Sequence, residues 1–293
     1  MILDLLNYNN TSLNDNIFKF RTNTTTFKIK YNIKEPVRSN FAQFGLSARE
    51  GLLLVYKFID EYNWYNLDAY ARKSEVFVKM THITDGERFY DVIVYGPNLT
   101  SLSKLDIEIP DEFKGEIIKL NSNRKMIILG GLNTFGIGCT SSGVMFSNIL
   151  QRKFNAEVKK IAFNSHNYLD KVYNYLTREN IPKIDVAILE IDSSRQSEEY
   201  VERYLDKILD ALKDYAEKII CWLCIPPSKN SKKQKALKIL KRHDVIFSDM
   251  SFIYSSDYED MCTYSYNFIN DSANMFIYKK LSENLKESLN WII

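Results

Sequence analysis

The chain has 293 residues, 45% of them apolar and 13% aromatic, which is enough for one large domain or two ordinary ones with real cores and argues against disorder. A balance of 39 basic against 37 acidic side chains leaves +2, so no chain-wide field selects nucleic acid, anionic lipid or an acidic partner, and neither nucleic acid nor membrane is expected as one. The four cysteines in so long a chain do not suggest a disulfide framework.

In chain order, the first ten residues carry neither a positive leader nor a sustained apolar stretch, which predicts a cytoplasmic protein. No segment approaches the roughly 18 uncharged apolar residues of a membrane helix. From about Asn16 to Leu120 the pattern is of short alternating runs: Ile17 to Thr22, Thr26 to Ile33, Glu75 to Met80 and Asp91 to Tyr95. Period two marks half-buried antiparallel strands, and Pro36, Asp85-Gly86 and Gly96-Pro97 punctuate them. Residues 1–122 therefore read as an all-β sandwich domain. Its aromatic run of Tyr56, Phe58, Tyr62, Trp64, Tyr65 and Tyr70 suits a core, a seam or a gripping surface. His82 reads as a strand-end or turn residue.

Residues 123–293 follow another pattern. Strands at Lys125 to Leu129, Glu157 to Phe163, Val186 to Ile191, Lys218 to Ile225 and Asp244 to Asp249 alternate with helices. The helices read as Gly143 to Phe154, Tyr168 to Glu179, Glu198 to Tyr215, Ser231 to His243 and Asp271 to Ser288. Near-continuous apolar strands between long helices predict a parallel, flavodoxin-like sheet covered on both faces, with ligands bound beyond the carboxyl ends of the strands. Cys221 and Cys224 form a C-x-x-C inside an apolar strand with no second pair or histidine at metal spacing, so core packing is expected and no metal or cofactor. The basic run Lys229 to Arg242 fits an amphipathic helix with a solvated face, and His243 fits a helix C-terminus.

At the loops after these strands, Gly130, Thr134, Gly136 and Cys139, followed by the Val158 to Asp170 block, resemble the SGNH (GDSL-like) hydrolases that carry the pattern G-x-S-x-T-x-G-x-x-C-A-S-R-P-G and a small β domain in front. The resemblance implies an SGNH-hydrolase-like α/β domain and an esterase site. Such a site needs a serine nucleophile, a histidine base, an orienting aspartate and oxyanion donors. Carried over position by position, the nucleophile falls on Leu132, the oxyanion glycine on Ser165 and the oxyanion asparagine near Ser194. The aspartate and histidine fall on Asn267 and Asn270, and no histidine follows His243. Every triad member reads as replaced.

Three function classes remain. The chain is a pseudoenzyme that binds an acylated or carbohydrate-type ligand through Asn133, Thr134, Ser165, His166, Asn167, Asp192, Ser194 and Arg195, with Arg195 available for a carboxylate or phosphate. Alternatively it is a divergent carbohydrate or acyl esterase, or an acyltransferase, with a rewired Cys139, His166 and Asp192. The third class is an interaction module that meets a protein partner through the β-domain surface.

Overall fold

The computed structural model describes residues 2–4, 17–33, 46–81, 83–98, 102–163, 165, 167–192, 196–264 and 268–292. The chain divides into two compact units, Met1–Asn121 with Thr140–Gly143, and Ser122–Cys139 with Val144–Ile293.

The first unit is built from β1 (Ile2–Asp4), β2 (Ile17–Thr22), β3 (Thr26–Ile33), a short α1 (Leu46–Glu50), β4 (Gly51–Phe58), β5 (Tyr65–Ala71), β6 (Glu75–Lys79), β7 (Tyr90–Tyr95), β8 (Leu102–Glu108) and β9 (Ile117–Lys119). These strands form two antiparallel sheets, ordered β1-β8-β3-β6 and β5-β4-β7-β2-β9. Alternation fixes which side chains turn inward: Phe18 and Phe20 of β2, Phe27, Ile29 and Tyr31 of β3, and Val76 and Val78 of β6 are all buried in one core shared by both sheets. Phe20 and Phe27 meet edge to face at 5.4 Å across it. In β8 the inward residues Leu102 and Leu105 are three apart, because the register shifts opposite Asn32 and Ile33 and one extra residue is absorbed. All six residues of β7 are buried, since Ile93 and Tyr95 join Leu53 and Val55 in a second apolar cluster on the opposite face of their sheet.

The second unit contains β10 (Arg124–Gly130), α2 (Leu132–Phe135), α3 (Phe146–Phe154), β11 (Ala156–Ala162), α4 (Leu169–Arg178), β12 (Ile184–Ile191), α5 (Glu198–Lys213), β13 (Ala216–Leu223), α6 (Asn230–Arg242), β14 (Ile246–Asp249), α7 (Glu259–Cys262), the two-residue strands β15 (Thr263–Tyr264) and β16 (Phe268–Ile269), and α8 (Asp271–Leu289). Its sheet is parallel throughout, in the order β11-β10-β12-β13-β14. Odd-numbered residues of β10 such as Ile127 and Leu129 pack with Leu169, Val172, Leu205 and Leu240 from α4, α5 and α6. Even-numbered neighbours Met126 and Ile128 pack with Phe146 and Phe154 of α3 and with Ile277 and Leu281 of α8. Both faces are covered, which is why these strands read as unbroken apolar runs. Cys221 belongs to the first layer and Cys224 to the second, and burial pushes both thiols above the ordinary range.

The sheet grows outward from β10, first to β11 and then back past β10 to β12. In folds of this kind such a reversal marks the carboxyl ends of β10, β11 and β12 as the position where ligands bind. Among the described residues no helix is long and apolar enough to cross a membrane.

Candidate functional site

At the carboxyl end of β10 the chain turns directly into α2. Gly130 ends the strand, Gly131 precedes the helix, and Leu132 is its first residue, half-buried. A helix this short cannot hold its own N-terminal N–H groups. The acceptor comes from the neighbouring strand: Glu190 Oε2 on β12 accepts the N–H of Gly131 at 3.0 Å and that of Thr134 at 2.8 Å. Space for this clamp depends on the glycines. A Cβ on Gly130 would lie 2.4 Å from Glu190 Oε2 and 2.3 Å from Thr134 Oγ1, and one on Gly131 would lie 2.5 Å from the Tyr168 ring. The Tyr168 hydroxyl in turn donates to the Glu190 carbonyl at 2.9 Å and accepts the Asp192 N–H at 2.8 Å, so it ties the start of α4 to the end of β12.

Glu190 is fully buried, and its carboxyl titrates at about 7. Desolvation is the main cause and the nearby Asp192 charge adds to it, while hydrogen bonding from Thr134 and Gly131 opposes both. Its second oxygen, Oε1, makes no hydrogen bond among the described residues, and neither do the buried Asn133 Nδ2 and Thr134 Oγ1. Thr134 Oγ1 lies beside the carboxylate without meeting hydrogen-bond geometry. Three buried polar atoms without partners thus collect around this turn and the strand beside it, an arrangement that buried water commonly satisfies.

The structure brings Asn133 and Thr134 together with Asp192 around Glu190 and Tyr168, two residues that the sequence reading did not single out. A signal for Glu190 was present, because a lone carboxylate inside the apolar run Val186 to Ile191 must find donors. After β11 the Ser165 hydroxyl donates to the Asn167 carbonyl at 3.2 Å. Asn270 is the N-cap of α8: its Oδ1 accepts the Ala273 N–H at 3.2 Å and its Nδ2 donates to the Met261 carbonyl at 2.8 Å. Cys139 is fully buried and its thiol is pushed well above the ordinary range, first by desolvation. His82, His166, Ser194, Arg195 and Asn267 lie outside the described residues.

Elsewhere the aromatic run divides. Phe58 is in the core, Tyr56 and Tyr70 pack partly against it, Trp64 lies under the Lys57 ammonium, and Tyr62 and Tyr65 are exposed. The basic run forms α6, with Ala236, Ile239 and Leu240 buried and Lys233, Lys235 and Arg242 paired with Asp249, Glu198 and Asp206. His243 follows α6 as its C-cap, as expected, and in addition reaches Asp206.

No protein-family model and no curated protein matches the sequence. Solved structures do. A protein described as a GDSL-like lipase from Bacteroides ovatus aligns over 94% of this chain and 84% of its own, with TM-score 0.73 and 16% identity. The salicylyl-acyltransferase SsfX3 of a tetracycline biosynthetic pathway aligns over 94% of this chain and 82% of its own, with TM-score 0.62 and 14% identity. A family two carbohydrate esterase from Clostridium thermocellum, solved with cellohexaose, aligns over 94% and 92%, with TM-score 0.57 and 11% identity. At these identities the likeness is one of fold. The chain has the fold of the SGNH (GDSL-like) hydrolases, a parallel α/β sheet flanked by helices together with antiparallel sheets.

Proposed function

We propose that this chain uses the SGNH-hydrolase fold to bind an acylated or carbohydrate-type ligand at the carboxyl edge of its parallel sheet, and that it has given up hydrolysis by a Ser-His-Asp triad. The observation that carries this reading is the residue that starts the turn after β10. It is Leu132, where the resemblance puts the nucleophile, and its alkyl side chain has no atom that could attack an ester. Asn270, where the resemblance puts the base, is spent on capping α8. Nucleophile, base and orienting acid act as a unit, so their joint replacement removes the covalent route rather than weakening it. The rewired alternative of Cys139, His166 and Asp192 requires an accessible thiol that ionises near neutral pH, and the buried Cys139 offers neither property.

What remains at this edge suits binding. The turn is held by Glu190 with Asn133 and Thr134 buried in it, while the exposed Asn167 and the partly exposed Asp192 offer donors and acceptors of the kind that sugar hydroxyls and acyl carbonyls engage. The test is calorimetric titration with acetylated and free xylo- and cello-oligosaccharides while released acetate is assayed in the same samples. Saturable heat without acetate release is expected. Acetate release that survives Leu132→Ala and disappears in Cys139→Ala or His166→Ala would replace this reading with the rewired esterase. Binding and turnover both absent, with saturable capture of a protein through Tyr62 and Tyr65, would favour the interaction module.

A further inference from the structure

The corner where α5 faces the end of α6 holds a cluster that the sheet-edge site does not use. Asp206 and Asp210 are four residues apart on α5, so they lie on one face, where two like charges repel unless a cation stands between them. His243, the C-cap of α6, reaches into this face with a side chain only 6% exposed. Its Nε2 lies 2.5 Å from Asp206 Oδ1. Its Nδ1 is buried and makes no hydrogen bond among the described residues, although Asp210 Oδ1 is 3.5 Å away.

We propose that His243 Nδ1 and Asp210 Oδ1 are protein ligands of a divalent transition-metal site of the Zn2+ type, with Asp206 as the carboxylate that orients the imidazole. The spacing is the first reason. Two ligand atoms bonded at about 2.1 Å to a tetrahedral ion stand about 3.4 Å apart, longer than an ordinary hydrogen bond and right for a shared metal. Tautomer is the second. Asp206 accepts from Nε2, which places the proton there and leaves the Nδ1 lone pair free toward Asp210. Carboxylate, imidazole and carboxylate offer ligand atoms within 4.8 Å of one another. The competing cations are weaker occupants. The Arg242 guanidinium engages Asp206, the orienting group, and leaves Nδ1 untouched, and Lys213 reaches Asp210 at 3.4 Å as an exposed i,i+3 pair. Imidazole with carboxylate oxygen favours Zn2+ over Mg2+ or Ca2+. Two protein ligands leave the remaining positions to water, so affinity in the micromolar range is expected. The bound ion would tether the middle of α5 to the end of α6.

The test is calorimetric titration of the EDTA-treated, full-length protein with ZnCl2, with thermal unfolding measured in parallel. One equivalent is expected to bind, with a Zn2+-dependent rise in Tm. Asp210→Asn, a change at an exposed side chain, should weaken uptake at least tenfold without altering the fold, and His243→Gln should abolish it. Asp206→Asn should weaken it by about ten- to a hundredfold through the lost orientation of the imidazole. The double variant His82→Ala/His166→Ala should still bind. Absence of Zn2+ uptake, uptake unchanged in Asp210→Asn, or uptake lost in the double variant would overturn the proposal. Because no readout involves a sugar or an ester, its failure is distinguishable from failure of the ligand-binding reading.

Discussion

Two carboxylates in the parallel unit, Glu190 and Asp206, are driven in opposite directions by where they sit. Glu190 is sealed beneath the turn after β10, and its carboxyl is pushed up to about 7 by desolvation, with the Asp192 charge adding to it. Asp206 is partly exposed on α5, and hydrogen bonding from His243, helped by Arg242, holds its carboxyl below the usual carboxylate range. Hydrogen-bond donors win where solvent still reaches the carboxylate. Burial wins over two backbone N–H donors where it does not. The buried group is therefore a structural clamp whose charge is marginal at neutral pH, while the partly exposed group is charged at neutral pH and holds an imidazole.

The sharpest way to break this contrast is to deny Glu190 its place. Gly130→Ala puts a methyl group 2.4 Å from Glu190 Oε2 and 2.7 Å from its Cβ, which the strand cannot yield to easily. A loss of about 3 kcal/mol or more in urea unfolding is expected, with the β10–α2 turn losing amide-exchange protection. Wild-type stability without change would mean that the clamp is not tight.

The next effect is one of pH. The carboxyl of Glu190 binds its proton more tightly folded, at about 7, than its ordinary value of 4.5. Its contribution is therefore complete below about pH 4.5 and is lost as pH rises through about 7. At about 1.4 kcal/mol for each pH unit the decline is about 3 kcal/mol. Glu190→Gln should flatten that part of the stability profile, measured by urea unfolding between pH 4 and 8. The same slope in wild type and variant would assign the titration to another group.

At Asp206 the sign reverses and the effect is smallest. A depressed carboxyl contributes above its ordinary value of 3.8 and the contribution fades as pH falls below it. Its exposure limits the contribution to within about 1 kcal/mol, so Asp206→Asn should alter the acid limb of the profile only slightly. An acid-limb loss of several kcal/mol would show that the pair with His243 is far better shielded than its surroundings suggest.

The readability of this molecule followed solvent exposure. Strands with one wet face, such as β2 and β6, announce themselves by alternation, and the parallel strands by unbroken apolar runs between amphipathic helices. β7 loses its alternation because both its faces are covered, and the four-residue helices α2 and α7 are too short for any period to register. The order β11-β10-β12-β13-β14 depends on contacts between distant segments, which no local pattern encodes. At the site, Gly130, Leu132 and Thr134 were legible as a turn after a strand. The clamp was not, because Glu190 comes from another strand and Tyr168 acts through its hydroxyl from the start of α4. His243 was legible as a cap, but its pairing with Asp206 and Asp210 joins two helices and leaves no trace in spacing.

The proposal that Leu132 at the head of this turn leaves the fold without ester-cleaving chemistry is tested most directly by hydrolysis of short-chain aryl esters and acetylated sugars by the purified chain beside Cys139→Ala and His166→Ala. Background rates from all three proteins are the expected result. Turnover by the wild-type chain that either substitution abolishes would contradict it.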